Sequence, residues 1–462
     1  MDLNHPFGWM LIVVFSVSAI ACSPNETTSK SDEQTRTEAS ASAGGDAPSQ
    51  DKSGDKSSNS EPVTAGLDDR AEPKLPGQRT VTTDESIWVP PTGEFVLQDT
   101  QTGTLWNLRG EAYRGELAGE RLEQLPAFNA FWFAWSVFYD GSELWNRDIK
   151  NTTAEIRTGD VGSGDIDGAD ISGADKCLVP CDEIRMGCPT GKDCIPALSR
   201  EDGAEMVAPT SDAADYLTDN TVVLGVLIDG QARAYPHNIL WWHEIYNDRI
   251  GETDFAVTFC PLTGSGIVFE GRLDGQQADQ SVDFGVSGRL YNSNLVMYDQ
   301  GAEDDTFWVQ MIGQGVKGPE IGQKLERLPV VETTWAKWKQ MHPDTLVVSS
   351  DTGHSRDYSR YPYADFRTDD SDTHQPTNPD FQGTYRAKDR VLGLVGESTS
   401  RAYAFPEMQK LGDKVVVNDT FEGQPIVVAF EGFEFSERMG TAIPFSSQVD
   451  GSELTFVGRL AP

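Results

Sequence analysis

The chain has 462 residues, 73 of them acidic against 37 basic, a formal net charge of −36 at pH 7 and 38% apolar side chains. That length holds two or three ordinary domains or one large duplicated one, with enough apolar residues for a sizeable core. Nucleic-acid binding needs clustered Lys and Arg to displace counterions. No such cluster is present, so the composition argues against a nucleic-acid partner, and the acidity reads as solubility.

Trp9 to Ala21 form a largely apolar run of 13 residues, the length of an export-signal core and too short to span a bilayer. The run closes on Ala19-Ile20-Ala21-Cys22, which resembles the bacterial lipobox, where the cysteine becomes the lipidated N-terminus. Residues 1–22 are therefore expected to be a signal peptide with a lipobox-like end. The mature protein is expected to be extracytoplasmic, periplasmic or at the cell surface, with its membrane partner reached through a lipid on Cys22. Residues 23–76 are Ser, Thr, Asp, Glu, Lys, Gly and Ala with almost no large apolar side chain, so they read as a flexible tether.

A β-rich body is expected over 77–462. Short β-branched or aromatic runs bounded by Gly, Asp and Asn predict strands at Phe95–Leu97, Val222–Ile228, Phe255–Phe259, Gly266–Phe269 and Leu295–Tyr298. Asp229-Gly230 and Asp274-Gly275 read as hairpin turns. Helices are predicted over Leu125–Phe138 and His237–Asn247. In the second, Ile239, Trp242, His243 and Tyr246 share one helical face.

Two patterns recur. Trp106…Gly115…Gly119…Leu122…Leu125-Pro126…Trp132…Trp135 returns as Trp308…Gly318…Gly322…Leu325…Leu328-Pro329…Trp335…Trp338, offset by 203 from Gly115 onward. Val223-Leu224-Gly225…Arg233-Ala234-Tyr235 returns as Val391-Leu392-Gly393…Arg401-Ala402-Tyr403, offset by 168, and Asn247-Asp248 returns as Asn418-Asp419. The expected architecture is an α+β, β-rich fold of short antiparallel strands with a few helices. It would be tandemly duplicated in the order B (98–146), A (223–272), B′ (299–350) and A′ (391–431).

Of six cysteines, Cys177, Cys181, Cys188 and Cys194 crowd together. Outside the cytoplasm four close cysteines are more often two disulfides than a zinc site, and the spacing leaves all three pairings open. With Cys22 on a lipid, Cys260 is left as the odd thiol. It ends a strand and opens Cys260-Pro261-Leu262-Thr263-Gly264, a turn whose backbone N–H groups suit a thiolate or an anion. The competing reading is a small buried hydrophobe. His243 faces the interior on its stripe, either as a satisfied core residue or as the base that deprotonates Cys260, while Glu244, one residue on, is expected to point elsewhere. Segment A′ has Glu431 in place of Cys260 and no His between Tyr403 and Asn418, so the reactive groups belong to one segment only. Phe284 to Asn294 is dense in hydrogen-bonding groups. Ser287, Arg289, Tyr291 and Asn292 are its candidate ligand contacts, with Arg289 suited to a carboxylate or phosphate. The Asp-rich run 160–175 lacks the spacing of a calcium loop and reads as a solvated loop.

The series Leu178-Val179-Pro180, Asp182-Glu183-Ile184, Ile195-Pro196-Ala197-Leu198, Arg233-Ala234-Tyr235-Pro236, Trp242-His243-Glu244-Ile245, Asn247-Asp248, Cys260-Pro261-Leu262, Gly285-Val286-Ser287-Gly288 and Leu290-Tyr291-Asn292-Ser293 resembles the family known as domain of unknown function 3179, over 178–430. The resemblance implies redox or thiolate chemistry, because some members carry a second Cys or a selenocysteine in this neighbourhood. Thr263 stands here where a CPLC form has its second Cys. The expectation is thus a thiol-dependent enzyme, redox or nucleophilic, using Cys260 and His243 on an unidentified small molecule and with no cofactor assigned. The alternatives are a ligand- or soft-metal-binding module with His243 and Cys260 as ligands, or a structural surface lipoprotein.

Overall fold

A computed structural model describes residues 87–145, 176–200, 203–273, 281–374 and 384–462. The signal peptide, Cys22, the tether, the Asp-rich run 160–175 and the Asp274-Gly275 turn lie outside the described residues. Described residues form several small, mainly antiparallel sheets with four helices, a β-rich α+β fold.

Segment B contributes β1 (Phe95–Asp99), β2 (Phe128–Phe131), α1 (Trp132–Phe138) and β3 (Glu143–Leu144). Segment A contributes β4 (Val222–Ile228), β5 (Gln231–Pro236), α2 (His237–His243), β6 (Ile245–Ile250), β7 (Thr253–Cys260) and β8 (Ser265–Glu270). The hairpin β9 (Phe284–Tyr291) and β10 (Asn294–Asp299) follows, then β11 (Val331–Thr334), α3 (Trp335–Met341) and β12 (Leu346–Val348). The last part holds β13 (Arg390–Val395), β14 (Ser400–Ala404), α4 (Phe405–Gln409), β15 (Lys414–Phe421), β16 (Gln424–Phe433), β17 (Ser436–Ser446) and β18 (Phe456–Leu460).

The sheets join segments that are distant in sequence. β2 pairs with β13 of A′, Phe128 opposite Gly393, and β11 pairs with β4 of A, Val331 opposite Gly225. β3 runs parallel to β14 with Glu143 opposite Arg401, and β12 parallel to β5 with Leu346 opposite Arg233. Each of these pairings carries the offsets of the sequence repeats. β18 closes the chain against β1.

The recurring sequence motifs explain themselves in this packing. Trp338 lies on Gly225 and Trp135 on Gly393, where any larger residue would displace the indole. Each fully buried indole removes about 200 Å² from water, worth about 5 kcal/mol of transfer free energy before ordering costs. Its N–H is satisfied inside as well, Trp338 Nε1 by Thr345 Oγ1 at 2.8 Å and Trp135 Nε1 by Ser142 Oγ at 3.1 Å. The Arg-Ala-Tyr and Asn-Asp motifs form one network twice. Tyr235 donates to Asp248 at 2.6 Å with Arg233 paired to the same carboxylate, and Tyr403 donates to Asp419 at 2.7 Å with Arg401 at 2.9 Å. Asn247 bonds both backbone groups of Phe284, as Asn418 does those of Phe456.

Two helix predictions need correction. Of the stretch Leu125–Phe138 only Trp132 onward is helical, because Phe128–Phe131 takes up a sheet partner in β13, and tertiary pairing overrides local preference. The helix expected to reach Asn247 ends at His243. Glu244 adopts φ +58°, and Ile245–Ile250 turns into a strand paired on both sides. Tyr246 therefore belongs to β6 and not to the His243 helix face.

The candidate thiol site

Cys260 is the last residue of β7 and is 1% exposed. Among the described residues it is the free cysteine; Cys177 pairs with Cys181 and Cys188 with Cys194, which selects one of the three pairings left open by spacing. The Cys260 thiol donates to Ser293 O at 3.6 Å. The turn after it is held by a buried polar network. Asn294 Nδ2 donates to Thr263 Oγ1 at 3.0 Å and to Gln310 Oε1 at 2.8 Å, Ser265 Oγ donates to the same Gln310 oxygen at 2.7 Å, and Gln310 Nε2 donates to Thr258 Oγ1 at 2.9 Å. All five side chains are fully enclosed, so each donor needs the acceptor it has. Thr263 is thereby a bracing residue of the turn.

Burial pushes the Cys260 thiol up to about 11, and the nearby Glu244 carboxyl adds to the shift. Glu244 is itself buried and raised to about 8, chiefly by desolvation, and Tyr363 donates to it at 3.3 Å. This corrects the expectation that Glu244 points elsewhere. Its left-handed backbone breaks the helical progression and takes the side chain to the face of the sheet that holds Cys260. Lys388 is the third member. It is 1% exposed, its Nζ has no hydrogen-bond partner among the described residues, and it lies over the rings of Phe366, Phe133 and Phe131 at 3.2, 4.7 and 5.1 Å. Desolvation lowers Lys388 to about 7 against the opposing pull of Asp372, Asp370, Asp369 and Cys260. Tyr361 is raised to about 12 by burial and lies within electrostatic reach of Cys260.

His243 is placed otherwise than expected. Its Nδ1 lies 2.9 Å from Pro196 O, which can only accept, so Nδ1 carries the proton. Nε2 then accepts from the Tyr358 hydroxyl at 2.8 Å, and that oxygen is bonded in turn to Thr352. Burial lowers His243 to about 4, so it stays neutral. With both nitrogens spent, it is neither the base of Cys260 nor a metal ligand beside it; the expected Cys260–His243 pair does not form. No group of three or more His, Cys, Asp or Glu suited to a metal occurs among the described residues. What His243 does is pin the segment from Thr352 onward, which Asn238 also holds through Tyr358 O at 2.7 Å.

The four proposed ligand contacts do not gather on the thiol. Ser287 and Gly288 form a β-bulge, and the Ser287 hydroxyl accepts from Arg289 N and donates to Val296 O. Arg289 lies over Phe307 at 5.4 Å, and Tyr291 packs edge-on against Phe138 in the cluster of Val179 and Ile184 near the disulfides. Asn292 and Ser293, both with positive φ, make the two-residue turn between β9 and β10. Of this hairpin, the turn reaches Cys260 through Ser293 O, and the Leu295 backbone beside it also bonds the thiol.

Glu244 stood inside the quoted Trp-His-Glu-Ile motif and was set aside on helical geometry. Lys388, Tyr361 and Tyr363 arrive from a segment with no periodicity, and the sequence carries no signal for them. A groove of about 670 Å³, lined by Gln409, Lys414, Glu431 and Phe433 among others, lies on A′ and away from Cys260.

Fold and site together define a β-rich protein with, among the described residues, one enclosed free thiol beside titratable neighbours. The chain belongs to the family described as Protein of unknown function (DUF3179), matched over residues 27–142 and 192–438. The match reaches beyond the expected 178–430 on both sides, beginning inside the expected tether and taking in segment B as far as residue 142, but it leaves out 143–191 and with it the Leu178-Val179-Pro180 and Asp182-Glu183-Ile184 motifs. No curated protein and no solved structure matches the chain.

Proposed function

We propose that this is an extracytoplasmic, lipid-anchored enzyme built by internal duplication, whose A segment keeps a thiol site at Cys260. The observation that carries the reading is the company of the thiol. Glu244, raised to about 8, and Lys388, lowered to about 7, both titrate near neutrality in electrostatic reach of it, an arrangement typical of working sites. Nucleophilic chemistry is favoured over a two-thiol redox cycle, since the other described cysteines are paired and Thr263 is not a resolving thiol. In this reading the unprotonated Lys388 amine takes the proton of Cys260 as the thiolate bonds to an electrophilic carbon of the substrate, and the group displaced from that carbon leaves with the bonding pair and takes the proton back from the Lys388 ammonium. Export and anchoring rest on residues 1–22 and on the two disulfides, which suit an oxidising compartment.

The test is native alkylation of Cys260 between pH 6 and 11, followed by mass spectrometry. Expected is slow but measurable labelling of the folded protein, reduced several-fold in Lys388→Met at pH 7.5. Labelling only after denaturation would leave Cys260 a packing residue, the reading that its 1% exposure favours.

A further inference from the structure

We propose that the ligand of the Cys260 site presents a carboxylate or small oxyanion to Lys388 Nζ and Tyr361 Oη; the inference rests on the thiol reading above and names its substrate class. Two enclosed donors lead to it. Lys388 Nζ meets only ring faces, and neither it nor Tyr361 Oη has an acceptor among the described groups. Buried donors in native proteins are satisfied, and each exception calls for a partner. Lys388 and Arg390 lie over the same Phe131 ring at 5.1 and 5.2 Å, and Arg390 donates to Gly264 O in the turn after Cys260, so a group held at Lys388 lies beside that turn; the charges of Lys388 and Tyr361 are both felt at the thiol.

The surroundings favour negative charge. Arg367 lies over the Tyr361 ring at 4.6 Å, and Arg390 reaches the same site, donating to Gly264 O at 3.2 Å in the turn after Cys260. Both act on the Tyr361 hydroxyl as positive charges. The acids nearby do not oppose this. Arg390 is paired with Glu332 at 2.7 Å, and Asp370 is matched by Arg438 in a two-pronged contact at 2.7 and 2.9 Å. Asp369 and Asp372 hold Lys388 toward its cationic form, and Glu244 stays mostly protonated at neutral pH. His374, also near Lys388, is lowered by burial and stays neutral. Among the described residues Glu332 Oε2 is an unpartnered acceptor on the far oxygen of the Arg390 pair, while the unpartnered groups named here beside the Cys260 turn, Lys388 Nζ and Tyr361 Oη, are donors, so their complement is an anionic acceptor.

Two readouts test it on the full chain at pH 7. Calorimetric titration with acetate and with phosphate should give saturable binding of at least one, retained in Cys260→Ser and in Lys388→Arg and lost in Lys388→Met. Iodoacetate, relative to iodoacetamide, should label Cys260 about tenfold better than it labels free cysteine, a preference that Lys388→Met removes and Tyr361→Phe weakens. Absence of saturable binding in both wild type and Cys260→Ser overturns the anion site, as does a Cys260 that alkylates without preference. The second result leaves the thiol reading standing. Anion binding beside an inert thiol does the reverse, so the two failures are distinguishable.

Discussion

Segments A and A′ share their strands, their Arg–Tyr–Asp network and the tryptophan lying on a strand glycine, yet they differ at one aligned strand position. In A that position is Cys260, the last residue of β7, near the segment that carries Tyr361 and Tyr363. In A′ the corresponding residue is Glu431, 20% exposed and paired with Lys337 at 2.7 Å and Lys414 at 3.1 Å. What both segments hold is what the fold needs. What one holds alone is where chemistry is to be sought, and His243 falls on neither side simply: it occurs once, but its bonds are spent on holding the covering segment.

The largest effects should fall on the shared features, alike in both segments. A Cβ at Gly225 or Gly393 would lie well inside van der Waals contact of Trp338 or Trp135, neither of which can move in its enclosed pocket. Gly225→Ala and Gly393→Ala should each cost about 3 kcal/mol or more in urea unfolding. A mild effect at one and a severe one at the other would break the equivalence of the two sheets. Next comes the carboxylate network. Asp248 is enclosed with Arg233, so Asp248→Asn should cost about 3 kcal/mol. Asp419 is partly exposed, and Asp419→Asn should cost about 1 kcal/mol.

Glu244 distinguishes A by its pH dependence. Its carboxyl is raised from 4.5 to about 8 in the folded chain, so between those values the folded state binds more protons than the unfolded one. Stability then falls as pH rises from about 4.5 through about 8, and the contribution is fully present below that window. Glu244→Gln should remove about 2 kcal/mol of that fall, measured by chemical denaturation at pH 5 and pH 8. An unchanged slope would remove the buried carboxyl from the site. His243→Ala loses two enclosed hydrogen bonds and should cost about 1.5 kcal/mol. The pH midpoint of Cys260 alkylation should stay near 11 in that variant. A shifted midpoint would restore His243 as the base.

Much of the frame was legible because its signals are local or periodic. The β-branched run Val222–Ile228 and the Asp229-Gly230 turn suffice to place that hairpin, whereas the pairing of β4 with β11, distant in sequence, is a tertiary contact that the run does not specify. Cys260 was legible by subtraction, since the four crowded cysteines pair with one another. Its neighbours were not. Glu244 lay hidden behind an assumed continuous helix that one left-handed residue ends. Lys388 comes from a stretch where nothing marks a lysine for burial, and only the three-dimensional meeting of Phe131, Phe133 and Phe366 makes its cage. Arg289 misled because a polar run between strands reads alike whether it faces a ligand or forms a bulge.

The smallest effect is the one that isolates environment from position. Glu431→Cys puts a thiol at the A′ counterpart of Cys260, on a strand of the same pairing, opposite Lys414 on one side and Thr441 on the other. The change gives up two partly exposed ion pairs and should alter stability by about 1 kcal/mol at most. Its thiol would face solvent and two ammonium groups, so it should titrate at or below the ordinary cysteine value and label readily in the folded protein. Cys260, enclosed beside a carboxyl, should keep gaining rate up to about pH 11. Two thiols at aligned positions of paired strands, read in one mass-spectrometric experiment on one chain, then report on what surrounds each of them. If the two labelling profiles coincided, the covering segment and its Glu244–Lys388 neighbourhood would have no hold on the thiol, and the distinction between A and A′ would reduce to which residue stands at that position.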